Sequence, residues 1–186
     1  MKRIFDIFLA IFSIILFIPP FLIIALLIKL TSKGPILFWS KRVGINSKIF
    51  LMPKFRSMKA HTPVLATDKL ENPDLYITSL GRWLRKTSLD ELPQLFSILI
   101  GDMSFVGPRP ALYSQEVLIT SRKELGIDKI RPGLTGWAQI NGRDEIDMLD
   151  KIAFDKAYIE NQSFYFDIVI LAITMIRVFR KTGVKH

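Results

Sequence analysis

The stretch from Ile7 to Ile28 carries no charged side chain. As one helix it would be roughly 33 Å long, enough to cross the hydrocarbon core of a bilayer. It is long for the apolar region of a secretory signal, and no small-x-small cleavage site follows it. Pro19-Pro20 lies in mid-run. Each proline lacks an N–H and clashes with the preceding turn, which predicts a sharp kink or break there. Ser13 is placed to bond a carbonyl in its own turn. Positive charge stands on both flanks, Lys2 and Arg3 before the run and Lys29, Lys33, Lys41 and Arg42 after it. Such flanks belong in the cytoplasm by the positive-inside rule. Both ends satisfy that rule only when the segment enters and leaves by the same face. These observations favour a helix–break–helix hairpin over a plain spanning helix.

The remaining composition narrows the chemistry. The 186 residues allow one domain. The formal net charge of +9 suits an anionic partner, whether nucleic acid, an acidic membrane surface or a phosphorylated substrate. The chain has no cysteine, which excludes disulfides, thiolate catalysis and Cys-ligated zinc. His61 and His186 are the only histidines, so acid–base or metal chemistry is expected to rest on carboxylates.

After a turn at Ser32-Lys33-Gly34-Pro35, two short apolar runs, Ile36 to Trp39 and Ile49 to Met52, flank Gly44-Ile45-Asn46 and predict a β-hairpin. Residues 60–75 are polar, include Pro63 and Pro73, and are expected to form a mobile loop. Helix is predicted from about Ser88 to Ile100, stopped by Gly101. It is predicted again over 112–126, from about Glu145 to Asn161, and from about Phe166 to Lys181. Arg131-Pro132-Gly133 opens an irregular Gly-rich segment that reaches Gly142. The last helix is apolar almost all round from Ile168 to Ile176, followed by Arg177, Arg180 and Lys181. It is too short to span a bilayer, and reads equally as a buried core helix or as one lying in the membrane interface.

Four motifs have the composition of a site. Ser88-x-x-Glu91 matches a capping box, with acidic residues in a first turn favoured by the helix dipole. The same Asp90-Glu91 pair also suits a nucleophile beside a metal ligand or general base, at a helix start that attracts phosphate. Arg82, Arg85 and Lys86 stand just upstream as a cationic cluster. In Gly107-Pro108-Arg109-Pro110 two prolines stiffen the backbone around one arginine, a solvated turn or a rigidly presented guanidinium. Arg131 to Trp137 and Asn141-Gly142-Arg143 combine glycines with anion-binding side chains. Lys54-Phe55-Arg56-Ser57-Met58 reads as an edge strand or as a further pair of cations.

Taken together, these segments resemble the bacterial sugar transferase family, the monotopic phosphoglycosyl transferases. The matching text is Lys2-Arg3-x-x-Asp6, the proline break, Lys54 to Met58, Ser88-Leu89-Asp90-Glu91-Leu92-Pro93-Gln94, Gly101 to Pro110, and Arg131 to Arg143. It covers essentially the whole chain, at the size of the minimal members. Many relatives carry Ser-Pro where this chain has Pro19-Pro20. The resemblance implies transfer of a sugar phosphate from a UDP-sugar to polyprenyl phosphate, with release of UMP and a requirement for Mg2+. It implies that Asp90 and Glu91 are catalytic and hold the metal, with Asp90 forming a phosphosugar-enzyme intermediate. The residues expected to bind substrate are Lys54, Arg56, Arg82, Arg85, Pro108, Arg109, Pro110, Arg131, Thr135, Asn141 and Arg143. The expected fold is α+β and mainly helical, a single compact domain with a small β-hairpin and interfacial amphipathic helices. Residues 1–31 would form a re-entrant membrane hairpin, and residues 32–186 a cytoplasmic catalytic domain resting on the bacterial inner membrane. A membrane-anchored basic binding protein and a metal-dependent phosphatase are the rival readings. No nucleic-acid-binding module is recognisable. The sugar and the oligomeric state stay open, with UDP-GlcNAc, UDP-galactose and UDP-bacillosamine types all compatible.

Overall fold

A computed structural model describes residues 1–60, 62, 72–142 and 146–180. The expected loop between Pro63 and Glu71, the start of the helix at Glu145, and Arg143, Lys181 and His61 lie outside the described residues.

Helix α1 runs from Lys2 to Thr31 and contains Pro19 and Pro20. It is long and apolar enough to cross a membrane by length and composition. The expected break is not an interruption of helix: helical residues continue through both prolines. The prolines leave the carbonyls of Ile15 and Leu16 without their usual N–H donors, a loss that helices in apolar surroundings tolerate. Only Asp6, Ala10, Ile24 and Ile28 of α1 are buried. Its other faces expose large apolar side chains, among them Phe8, Phe12, Leu22 and Leu26.

Both ends of α1 dock on the rest of the chain. Lys2 Nζ donates to Asp167 Oδ2 at 2.5 Å, to Tyr158 OH at 3.0 Å and to the Val106 carbonyl at 2.9 Å. Arg3 donates to the carbonyls of Ile98 and Leu99 at 2.6 and 2.8 Å. Those carbonyls end helix α3 (Gln94–Ile100), where acceptors lack intrahelical donors and the dipole favours a cation. Asp6 accepts from Ser104 Oγ at 2.8 Å and from the Phe105 N–H at 3.2 Å. At the other end, Ile24 and Ile28 pack with Phe55 and Leu84. The Phe21 ring lies 5.3 Å from Phe55 and 5.9 Å from Phe96.

Strands β1 (Leu37–Val43) and β2 (Ile49–Phe55) form the expected antiparallel hairpin, with Ser40 opposite Met52 and Arg42 opposite Phe50. Asn46 (φ 54°) and Ser47 (φ 58°) make its turn, closed by Gly44 N–H donating to the Lys48 carbonyl at 2.7 Å. The two-residue alternation of a strand places Arg42 and Lys54 on the same face as buried Ser40 and Met52. The other face leaves Trp39, Ile49 and Leu51 exposed.

The expected helix at Ser88 is divided. Helix α2 (Ser79–Thr87) ends at Ser88 in the left-handed conformation (φ 57°), a short 3-10 turn covers Leu89–Glu91, and α3 follows and stops at Gly101. The segment expected to be irregular contains order too. Strand β3 (Ser104–Val106) pairs in parallel with β4 (Gly133–Thr135), and α5 (Trp137–Ile140) follows. Helix α4 covers Glu116–Glu124, α6 Met148–Glu160 and α7 Phe164–Arg180. In α7, Asp167 and Ile170 are buried while Met175, Ile176 and Val178 are exposed, so it is a core helix in its first half only. Leu95, Ile98, Met103, Phe105, Val106, Tyr158 and Ile170 form the main core cluster. The architecture is α+β and mainly helical, with a small β-hairpin and one long apolar N-terminal helix.

Candidate active site

The capping box expected at Ser88-x-x-Glu91 does not form. Ser88 closes α2, its N–H donating to the Arg85 carbonyl at 3.1 Å, and its side chain makes no cap for the following turn. Glu91 is the third residue of the 3-10 turn that Ser88 precedes, but the left-handed serine bonds none of that turn's N–H groups with its side chain. The Glu91 carboxylate turns instead to Lys54 Nζ at 2.7 Å and to the Arg109 guanidinium at 3.5 Å. Asp90, on the same turn, is buried with 7% of its surface exposed.

Four cations from four parts of the chain meet at this pair. Lys54 comes from β2, Arg42 from β1, Arg85 from α2, and Arg109 from the loop after β3. Burial pushes the Asp90 carboxyl up to about 6, and the charge of Glu91 adds to the rise; Lys54, Arg85 and Arg109 oppose it. Burial also lowers Arg42 to about 10, helped by repulsion from Arg109 and opposed by Glu91. Two guanidinium groups that repel each other across one carboxylate describe a site with more positive than negative charge. Such a site favours a polyanionic ligand, and its low dielectric strengthens the attraction.

The other expected site residues go elsewhere. Buried Arg56 donates to the carbonyls of Ser32 and Lys33 at 2.9 Å each and to Ser32 Oγ at 2.7 Å, bracing the chain where α1 ends. Arg82 pairs with exposed Asp74 at 3.3 Å. Arg131 Nε donates to the Gly101 carbonyl at 2.8 Å. Thr135 Oγ1 and Thr174 Oγ1 are 2.7 Å apart, joining β4 to α7. Asn141 donates to the Trp137 carbonyl at 2.8 Å. Pro108 and Pro110 flank Arg109 and so shape the loop that carries it. Arg42 is the member of the cluster that sequence reasoning missed. It was read as flanking charge because the apolar run that predicts the strand stops at Trp39, whereas the strand itself extends to Val43.

Among the described residues, no three His, Cys, Asp or Glu side chains cluster as a metal cage. The dyad offers two hard carboxylates. That donor set fits magnesium, which commonly takes one or two carboxylates and completes its shell with water and substrate phosphates.

The model of the bacterial sugar transferase family matches residues 1–181. The chain belongs to that family. It is 40% identical over 186 residues to a UDP-glucose:undecaprenyl-phosphate glucose-1-phosphate transferase of Escherichia coli (strain K12), an alignment covering 96% of this chain and 40% of the relative. It is 39% identical over 206 residues to an undecaprenyl-phosphate galactose phosphotransferase of Salmonella typhimurium, covering 98% of this chain and 41% of that one. The chain thus spans about two fifths of the length of these two relatives. With the sugar transferase EpsL of Bacillus subtilis (strain 168) the identity is 37% over 186 residues, covering 100% of this chain and 91% of the relative.

The elevated Asp90 carboxyl has a consequence for stability. The folded family member prefers Asp90 protonated, so this group stabilises the fold below the usual carboxylate range, and the contribution is lost as pH rises through about 6. In metal-free buffer, Asp90→Asn is expected to raise the unfolding temperature more at pH 8 than at pH 5. Thermal denaturation at both values checks it; an equal shift, or a loss at pH 8, contradicts the burial argument.

Proposed function

We propose that this protein transfers a sugar 1-phosphate from a UDP-sugar to undecaprenyl phosphate, releasing UMP, through a covalent Asp90 phosphosugar intermediate. The observation that carries the reading is the buried Asp90-Glu91 pair set among Lys54, Arg42, Arg85 and Arg109. A carboxylate attacking a diphosphate must overcome charge repulsion, and the surrounding cations reduce it. The names of the relatives supply the substrate classes.

In the first step an Asp90 carboxylate oxygen bonds to the sugar-bearing phosphorus, and the bond from that phosphorus to the bridging oxygen breaks, leaving UMP. In the second, a phosphate oxygen of the lipid attacks the same phosphorus and the Asp90 carboxylate departs, giving a polyprenyl diphosphate sugar. Splitting the reaction lets a soluble donor and a lipid acceptor use one pocket in turn. Arg109 belongs to the nucleotide side in this scheme. Arg85, on the helix leading into the dyad, holds the lipid phosphate. Asp90 and Glu91 would hold magnesium, which when bound neutralises diphosphate charge.

UDP-sugars screened in detergent micelles should give UMP that depends on undecaprenyl phosphate and magnesium. Asp90→Asn should lower turnover by about 10³-fold or more while staying folded; Glu91→Gln should keep a trace. Release of inorganic phosphate would favour a phosphatase, and absence of turnover with every donor a binding protein.

The docking of α1 supports a reading of the membrane arrangement. A straight helix of 30 residues is about 45 Å long. Were it to cross the bilayer, its two ends would stand on opposite faces, yet both are anchored on one domain. We therefore read α1 as entering and leaving by the cytoplasmic face of the inner membrane, bent near Pro19-Pro20, with residues 32–186 resting on that face. Because the chain lacks cysteine, single cysteines are clean probes. Ile4→Cys and Lys41→Cys should both react with a membrane-impermeant thiol reagent only after spheroplasts are lysed. Labelling of position 4 in intact spheroplasts would establish a spanning helix.

A further inference from the structure

The loop that aims Arg109 at Glu91 can form few backbone bonds of its own, since Pro108 and Pro110 have no N–H. Its carbonyls are held from outside, one after another. Gly133 N–H donates to the Pro108 carbonyl at 2.9 Å, and Val43 N–H to the Ala111 carbonyl at 3.0 Å. Between them, Arg122 NH1 donates to the Arg109 carbonyl at 2.8 Å, and Arg42 NH1 to the Pro110 carbonyl at 3.0 Å.

Arg122 is on α4, and its guanidinium is itself fixed. Its Nε and NH2 donate to Asp155 Oδ2 on α6 at 3.0 and 2.6 Å. The pair is deeply buried, with Arg122 9% and Asp155 1% exposed. A buried ion pair is weak as a source of stability, because desolvation offsets much of the attraction and apolar side chains of similar size often replace it without loss. The geometry here does something an apolar pair cannot: it holds a rigid donor against the carbonyl of a residue whose side chain lies in the charge cluster.

We infer that Arg122 and Asp155 are positioning residues for the transfer reaction, fixing the Arg109 backbone so that its guanidinium stays directed at Glu91 and the donor diphosphate. The inference rests on the transferase reading above. Neither residue touches Asp90 or Glu91 in any hydrogen bond or ion pair described for them; their effect passes through Arg109. Asp155 orients Arg122 by engaging two of its nitrogens, which leaves NH1 aimed at the carbonyl. Arg122→Lys keeps the charge, yet one ammonium on a flexible stem lacks the planar fork that serves both partners.

The test is a double-mutant cycle between Arg122 and Arg109. Arg122→Met is expected to lower the rate of UMP release by about 10²-fold, the scale of a displacement of about 1 Å in a reacting assembly. Arg122→Lys should recover only part. In an Arg109→Ala background, which keeps the backbone carbonyl, Arg122→Met should have little further effect. Affinity for UDP, measured by calorimetry on the same four proteins, should show the same non-additivity. If Arg122→Met multiplies the loss of Arg109→Ala in both readouts, the pair is only structural and the inference fails. If Arg122→Met does not fold, Arg122→Lys replaces it in the cycle with the same criterion. A wild type that binds UDP but releases no UMP with any donor removes the transferase reading, and the coupling is then decided by the affinities.

Discussion

Polar contacts at the start of α1 hold together the two halves of the candidate site. Arg3 binds the carbonyls that end α3, the helix immediately following the Asp90-Glu91 turn. Asp6 and Lys2 bind β3 at Ser104, Phe105 and Val106, the strand that leads into the Arg109 loop. The same end of an apolar helix therefore sets where the carboxylates and their arginine stand relative to each other. Lys2 also donates to Asp167 Oδ2, beside the Tyr158 hydroxyl on Oδ1, and Asp167 is only 3% exposed. Removing a partner from such a carboxylate leaves a buried charge uncompensated. Helix α1 is thus part of the framework that holds the candidate site rather than a tether attached to it.

Within that framework, burial and charge act against each other on purpose-built terms. Desolvation dominates at Asp90 and lifts its carboxyl, while Lys54, Arg85 and Arg109 pull it back toward ionisation. Glu91 stays within salt-bridge distance of Lys54 and Arg109. Arg42 and Arg109 repel each other, and that repulsion is relieved when further negative charge arrives. A diphosphate brings that charge. The site is therefore pre-set for an anion before it binds, as electrostatic preorganisation requires.

The elements governed by local periodicity were legible in the sequence. The hairpin, the C-terminal helices and the stop at Gly101 follow from period-two and helical patterns with turn residues between. A boundary near Ser88 was read, but helix Ser79–Thr87 before it was not, and neither was the 3-10 turn after it, because the Ser-x-x-Glu spacing imitates the capping box of a continuous helix. The parallel pairing of Ser104–Val106 with Gly133–Thr135 joins segments about thirty residues apart and leaves no local pattern. Among the arginines, sequence cannot tell a ligand-facing guanidinium from one that satisfies carbonyls. Arg109 pairs with Glu91, Arg56 and Arg131 tie loops to backbone acceptors, and Arg42 does both, bonding the Pro110 carbonyl within the field of Glu91. Only the assembled fold decides which is which. The Asp90-Glu91 dyad was singled out by resemblance and by chemistry together, since the residue pair alone fits an ordinary helix start.

The covalent route proposed above requires Asp90 to carry the phosphosugar between donor and acceptor. Incubating the protein with a donor UDP-sugar labelled in the sugar, without lipid acceptor, and mapping the products by mass spectrometry tests it directly. One added sugar phosphate is expected on the peptide containing Asp90, discharged when undecaprenyl phosphate is supplied. An enzyme that turns over both substrates yet never carries the label, or carries it on another residue, would rule out the covalent Asp90 route.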